Sequence, residues 1–354
     1  MKIAPSCRAT AVGSLPYRDA DEAVGRVLAA FPEFPAWPQL PNRSFLENMY
    51  VQYSEGLPCL VVNREAERVY FDTSGDTMAE IELFYGKVIE ADLDRFAISP
   101  DYAPGFHRLV ETLAAGAPAE LACVKGQIVG PVSMGLTVTD QNKRAILYHD
   151  ELMDAVVKSI AMKAAWQVRE LKKVCPNVMI WLDEPYLASF GSAYVSLSDT
   201  QVRSLIGEVA TAIRDAGALA GIHCCGNTDW SLLMDAGLDV INFDAYGYFT
   251  GMTCYPEALR TFLNEGRILA LGLVPTSPKI LEETVESLAA ALADRLETLS
   301  AKTGLKTEEI AARCLLTPSC GAGSLSPDLA DRILETVGAL SRRVRGPGGA
   351  EGGA

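Results

Sequence analysis

The chain has 354 residues, a formal charge of −14 and an apolar content of 49%, which leaves room for a large core in one α/β barrel with an insertion. An acidic chain with no basic run and no interleaved basic and aromatic residues is a poor match for nucleic acid or an anionic membrane surface. Met1 to Pro16 lacks the apolar stretch of a signal peptide and no run is long enough to span a bilayer; nine scattered cysteines, an odd number, fit reduced thiols in a cytoplasmic enzyme and argue against a disulfide framework.

Taken in chain order, short apolar runs ending in Gly, Pro or polar residues alternate with helical patterns, as in a parallel βα sheet. The first two candidate strands are Ala9–Pro16 and Phe34–Pro41. The segment 42–118 then breaks the rhythm. It reads as a helix over Ser44–Tyr53, a hairpin-like pair (Leu60–Val62 and Arg68–Phe71) around Asn63-Arg64-Glu65, and helices over Thr77–Glu90 and Gly105–Ala114. Such an insertion would hang from one face of the barrel.

Candidate strands resume at Ala122–Pro131, Val178–Pro185, Leu219–Gly226, Val240–Ala245, Arg267–Pro275 and Cys314–Gly321. Helical spacing runs over Glu151–Lys173, over Ser198–Ala216 with its Ser/Asp start and Gly217 stop, over Leu281–Leu299 and over Pro327–Val344. Eight candidate strands are what a closed (β/α)8 TIM barrel needs. The expectation is one such domain over 1–345 and a disordered Gly-rich tail over 346–354.

In such barrels the side chains at the C-terminal strand ends meet at one mouth, so the last residues of each run matter most. His223 and Cys225 are two apart, which on a strand puts both on one face. His plus Cys is a good zinc pair, and Gly226 lets the chain turn away. Cys320, before Gly321 at the end of the last strand, is a candidate third ligand, and Asp244, one strand along, a weak fourth displaced by substrate. A His-x-Cys taken alone also reads as a satisfied core His and a buried Cys. Cys224 should point the other way. Cys7, Cys59, Cys123, Cys175, Cys254 and Cys314 read as ordinary core or surface residues, and His107 and His149 as residues with no catalytic role. Asp183 and Glu184, adjacent carboxylates at a mouth, call for a cation: a substrate ammonium, or a loop Arg in a salt bridge. They should face opposite ways, so that one of them meets the substrate. Gly13 and Ser14 offer N–H groups and a hydroxyl to a carboxylate.

Val12-Gly13-Ser14-Leu15-Pro16, Gly130-Pro131-Val132-Ser133, Asp183-Glu184-Pro185, His223-x-Cys225 and Pro318-Ser319-Cys320-Gly321, in this order and spacing, resemble the catalytic domain of cobalamin-independent methionine synthase. That family lies within the wider uroporphyrinogen decarboxylase-like superfamily. The resemblance runs through most of the barrel. It implies zinc held by His223, Cys225 and Cys320, and methyl transfer to the thiol of homocysteine to form methionine. It also implies Gly13-Ser14 on the amino-acid carboxylate and Asp183 on its ammonium. The family's fourth ligand is a Glu, and the matching position here is Asp244, one methylene shorter. The full-length enzyme has two barrels and this chain has room for one, so it looks like the short core form, which takes its methyl group from a methylated corrinoid. Lacking an Asp-x-His-x-x-Gly motif, the chain would meet that donor as a free methylcobamide or on a separate corrinoid protein. Ile222-His223-Cys224-Cys225-Gly226-Asn227-Thr228 also resembles the corrinoid-to-coenzyme M methyltransferases, which gives the alternative of another thiol acceptor. A third reading is a non-catalytic barrel that binds zinc or an amino acid as a partner subunit.

Overall fold

The computed structural model describes residues 3–192 and 196–346. Six of the expected strands form where the aliphatic runs lie: β4 (Val124–Val129), β5 (Val178–Asp183), β6 (Leu219–Cys224), β7 (Val240–Phe243), β8 (Ile268–Val274) and β9 (Cys314–Pro318), while β1 is only Arg8–Ala9. Together they make a seven-stranded parallel sheet in the order β1-β9-β8-β7-β6-β5-β4. Every residue of β4, β5, β7, β8 and β9 is buried, as in a parallel sheet covered on both faces. The covering helices include Asp150–Leu171, Asp199–Asp215, Val285–Thr303 and Pro327–Arg345. Ser198 and Gln201 form a capping box at the second of these. The helix expected over Leu281–Leu299 starts later, because Thr284 caps it and a 3-10 turn, Pro278–Leu281, precedes that cap.

The sheet curls into a half-barrel, and regular strands do not close it as the expected eight-strand barrel. Of the expected strands, Ala9–Pro16 forms only at Ala9, in β1, and Phe34–Pro41 does not form. Pro35, Pro38 and Pro41 have no N–H to donate, so a continuous ladder cannot run through them. Isolated bridges remain, Ala36 with Lys125 and Gln39 with Ser14. The Trp37 N–H donates to the Lys125 carbonyl at 3.2 Å and the Lys125 N–H to Pro35 O at 2.9 Å; on the other side the Gln39 N–H donates to Gly13 O at 3.1 Å and the Leu15 N–H to Gln39 O at 2.9 Å. The segment thus touches β4 at one end of the sheet and the chain leaving β1 at the other.

Within 42–118 the hairpin forms as expected, with β2 (Leu60–Asn63) antiparallel to β3 (Arg68–Phe71), and so do the helices Thr77–Ile89 and Pro104–Ala115. The helix expected over Ser44–Tyr53 is split into a 3-10 turn, Phe45–Glu47, and a short helix, Met49–Gln52, because Asn48 stops the first and caps the second. No described helix is long and apolar enough to cross a membrane. The tail expected to be disordered lies, from residue 347 on, outside the described residues.

Candidate metal centre

Strand register sets the site. Asp183 at the end of β5 is the Cα partner of His223 on β6, and His223 is the partner of Asn242 on β7. Cys225 follows β6 at once, and Cys320 lies just beyond β9. One ligand atom each from His223, Cys225 and Cys320 lie within 4.8 Å of one another, and no other such group is found among the described residues. The group can hold a metal ion. Nδ1 of His223 is bonded to Asn242 Oδ1 at 2.6 Å, while Nε2 is buried with no hydrogen-bond partner among the described residues.

The electrostatics of the thiols point the same way. The Cys320 thiol and the His223 ring hold Cys225 far below the ordinary thiol range, against the effect of burial. Cys320 is pushed strongly upward by donating to Cys225 and by burial. One proton leaves this pair easily and the second does not, unless positive charge arrives. A divalent cation supplies that charge. One imidazole and two thiolates are a donor set for such an ion, and a buried imidazole nitrogen without a partner is where it would be bound.

The group opens onto a cavity of about 300 Å³ that Ser14, Gln39, Glu47 and Asp183 also line. Gly13 stands at φ +153°, and a Cβ there would come within 2.8 Å of Gln127 Cδ and Gln39 Oε1. Only glycine lets the backbone approach so closely. Asp183 is buried, and its Oδ1 has no hydrogen-bond partner among the described residues. Burial lifts its carboxyl above the usual range, opposed by His223 and Lys125. Lys125 is the buried counter-charge: its Nζ donates to Val12 O at 2.5 Å and to Gln127 Oε1 at 3.1 Å and lies 4.5 Å from the Trp181 ring centroid.

Two expected site residues are placed elsewhere. Glu184 faces away from the cavity, and its carboxylate accepts the Val132 N–H at 2.8 Å and the Ser133 N–H at 2.7 Å. It thereby caps the helix Pro131–Thr137. Burial pushes Glu184 up to about 7. Gly130 makes room for it, since a Cβ there would come within 2.1 Å of Glu184 Cδ. Asp244 stands outside the three-residue group. Its short side chain closes on its own turn, accepting the Gly247 N–H at 2.7 Å. Cys224 is buried and donates to Gly226 O at 3.5 Å. His107 and His149 do have partners, Ile98 O at 2.8 Å and Asp140 Oδ2 at 3.2 Å, away from this site.

Four site residues are not among those read from the sequence: Gln39, Glu47, Lys125 and Asn242. A signal existed for two of them, since Lys125 and Asn242 are polar side chains inside otherwise apolar runs. Gln39 Nε2 donates to Gln52 Oε1 at 2.7 Å and to the Tyr53 hydroxyl at 3.0 Å. Glu47 pairs with Arg43 Nε at 2.6 Å and accepts the Leu40 N–H at 3.0 Å. Burial pushes Glu47 to about 7.

Comparison of the chain with models of known protein families and with curated proteins returned no match.

Proposed function

We propose that this protein is a zinc-dependent methyltransferase that moves a methyl group onto the thiol of homocysteine to form methionine, with a methylcorrinoid brought from outside as the donor. The observation that carries the reading is the convergence of His223, Cys225 and Cys320 on one point at the rim of a cavity that also holds Asp183. Bound there, zinc supplies the Lewis acidity that makes a substrate thiol a thiolate at neutral pH. In the transfer, the substrate sulfur gives an electron pair to the methyl carbon and the carbon–donor bond breaks. The donor leaves with that bond's electrons, and the thiol proton goes to solvent.

The chain's own work is orientation. Asp183, with a carboxylate oxygen that has no partner among the described residues, receives the substrate ammonium, and Gly13-Ser14 receives the carboxylate. Held at both ends, the amino acid presents its sulfur in one direction, and such positioning is worth several kcal/mol. A sulfonate thiol such as coenzyme M has no ammonium to offer Asp183, so the carboxylate favours an amino acid. The fold reading that goes with this is a (β/α)8 barrel in which 34–41 takes the place of the second strand; its bridges to Ser14 and Lys125 support it.

The test is an assay of purified, zinc-loaded protein with homocysteine against methylcobalamin and methyl-folate in parallel. Methionine formed from methylcobalamin is the expected result. No methionine from either donor, in a protein that binds zinc stoichiometrically, would overturn the assigned reaction.

A further inference from the structure

We infer that Asn242 is a positioning residue that locks the neutral His223 ring as its Nδ1–H tautomer and so leaves Nε2 as the nitrogen that takes the metal ion. The inference rests on reading His223 as a metal ligand.

The starting point is an anomaly. Asn242 is fully buried in β7, among Val240, Ile241 and Phe243. A buried amide is costly unless it is hydrogen-bonded. Here three bonds are made, and they fix which way the amide points. Nδ2 donates to Ala270 O at 2.9 Å and to Thr317 Oγ1 at 2.8 Å. Ala270 O is a backbone carbonyl and can only accept. Thr317 Oγ1 spends its own proton on Pro318 O at 2.8 Å, so it too accepts. The atom facing both is therefore the NH2, and the atom facing His223 at 2.6 Å is the carbonyl Oδ1. An amide orientation is often a free choice, but two acceptors on one side remove it.

The rest follows by elimination. Oδ1 can only accept, so His223 Nδ1 must carry a hydrogen. In a neutral imidazole the other nitrogen is then a bare lone pair. That nitrogen, Nε2, is the one that is buried without a hydrogen-bond partner among the described residues. The register delivers the arrangement without loop conformation, since His223 pairs with Asn242 and Asn242 with Ala270 across β6, β7 and β8. Partners that fix a ligand imidazole in this way commonly contribute 10–100-fold in metal affinity.

The test reads the tautomer and the affinity separately. Long-range 1H–15N NMR of the metal-free protein in mildly alkaline buffer distinguishes the tautomers of its three histidines. His223 is expected as Nδ1–H alone. In Asn242→Ala it is expected as a mixture, with zinc affinity, measured by competition with a chromophoric chelator, lower by about 10–100-fold. Thr317→Val keeps the Ala270 bond and is expected to keep the tautomer, with affinity within about threefold of the parent. A parent spectrum showing Nε2–H overturns the inference and is decisive even if Asn242→Ala does not fold. A folded Asn242→Ala with an unchanged tautomer and affinity overturns it as well. The tautomer readout needs no metal, so failure of the chain to take up zinc would count against the metal reading alone, while the spectrum still decides the role of Asn242.

Discussion

Asp183 and His223 are register partners at the ends of β5 and β6, so the unpartnered carboxylate and the unpartnered imidazole nitrogen stand at one level on adjacent strands. Neighbouring strands are about 4.8 Å apart. The carboxylate offered to a substrate ammonium therefore stands beside the ring offered to the metal ion, and both face the same cavity.

The metal reading makes the first prediction. The parent protein should hold about one zinc ion per chain. His223→Ala, Cys225→Ser and Cys320→Ser should each carry well below one by elemental analysis, while circular dichroism stays that of the parent. Full metal content in all three variants would remove the site.

Asp183→Asn separates binding from metal chemistry. Replacing the carboxylate by an amide removes a charge-assisted contact worth about 1.5–3 kcal/mol, so KM for homocysteine should rise by about 10–100-fold with zinc content unchanged. A thiol without an ammonium group should be used equally well by parent and variant. Unchanged KM for homocysteine would show that the ammonium is held elsewhere.

Glu184→Ala should act on stability. It leaves the buried Val132 and Ser133 N–H groups without their acceptors, a loss of about 1–3 kcal/mol. The expected result is a lower denaturant midpoint with zinc stoichiometry unchanged. Loss of zinc at unchanged stability would contradict the capping role.

Lys163 carries the pH prediction. It is fully buried in the helix Asp150–Leu171 and its Nζ has no hydrogen-bond partner among the described residues. Burial lowers it to about 8, with only the charge of Glu55 opposing. Its unfolded value is near ~10.4, so the folded state is penalised for the charge below pH ~8. Stability from this group is present above the unfolded value and is lost as pH falls through the folded one. Lys163→Met should be more stable than the parent at neutral pH, by on the order of 1–3 kcal/mol. Its advantage should shrink as pH rises from about 8 toward 10. Equal stability of parent and variant across that window would show that the lysine is not penalised.

Much of the site was legible because strand ends are. The spacing of His223 and Cys225 and the Cys320-Gly321 turn, read with barrel topology and the family resemblance, singled out three residues that the fold brings within 4.8 Å of one another. What the sequence did not report were neighbours. That the two carboxylates face opposite ways was expected, but that Glu184 caps the helix Pro131–Thr137 depends on free N–H groups there, and nothing in Asp183-Glu184-Pro185 reports that helix. Asp244 was placed on the right strand end but closes on Gly247, a local choice that a longer Glu side chain would be freer to escape. Phe34–Pro41 has the apolar content of a strand and the prolines that forbid one; counting apolar residues weighed the first over the second. Asn242 needed the register, because its partners come from three other strands.

The proline-rich stretch has a dynamic consequence. Where β5 and β6 are laced by a full ladder, the backbone join between β4 and the chain after β1 runs through single bonds from Trp37, Lys125, Gln39 and Leu15, with the side chains of Lys125 and Gln127 adding bonds to Val12 O and Trp37 O. Ser14 and Gln39 stand on that join and also border the cavity, so this part of the cavity wall is held by isolated bridges and not by a continuous ladder. Amide protons of Trp37 and Gln39 should accordingly exchange with deuterated solvent ahead of those in the middle of β5 and β6, a difference that would trace to the spacing of three imino acids.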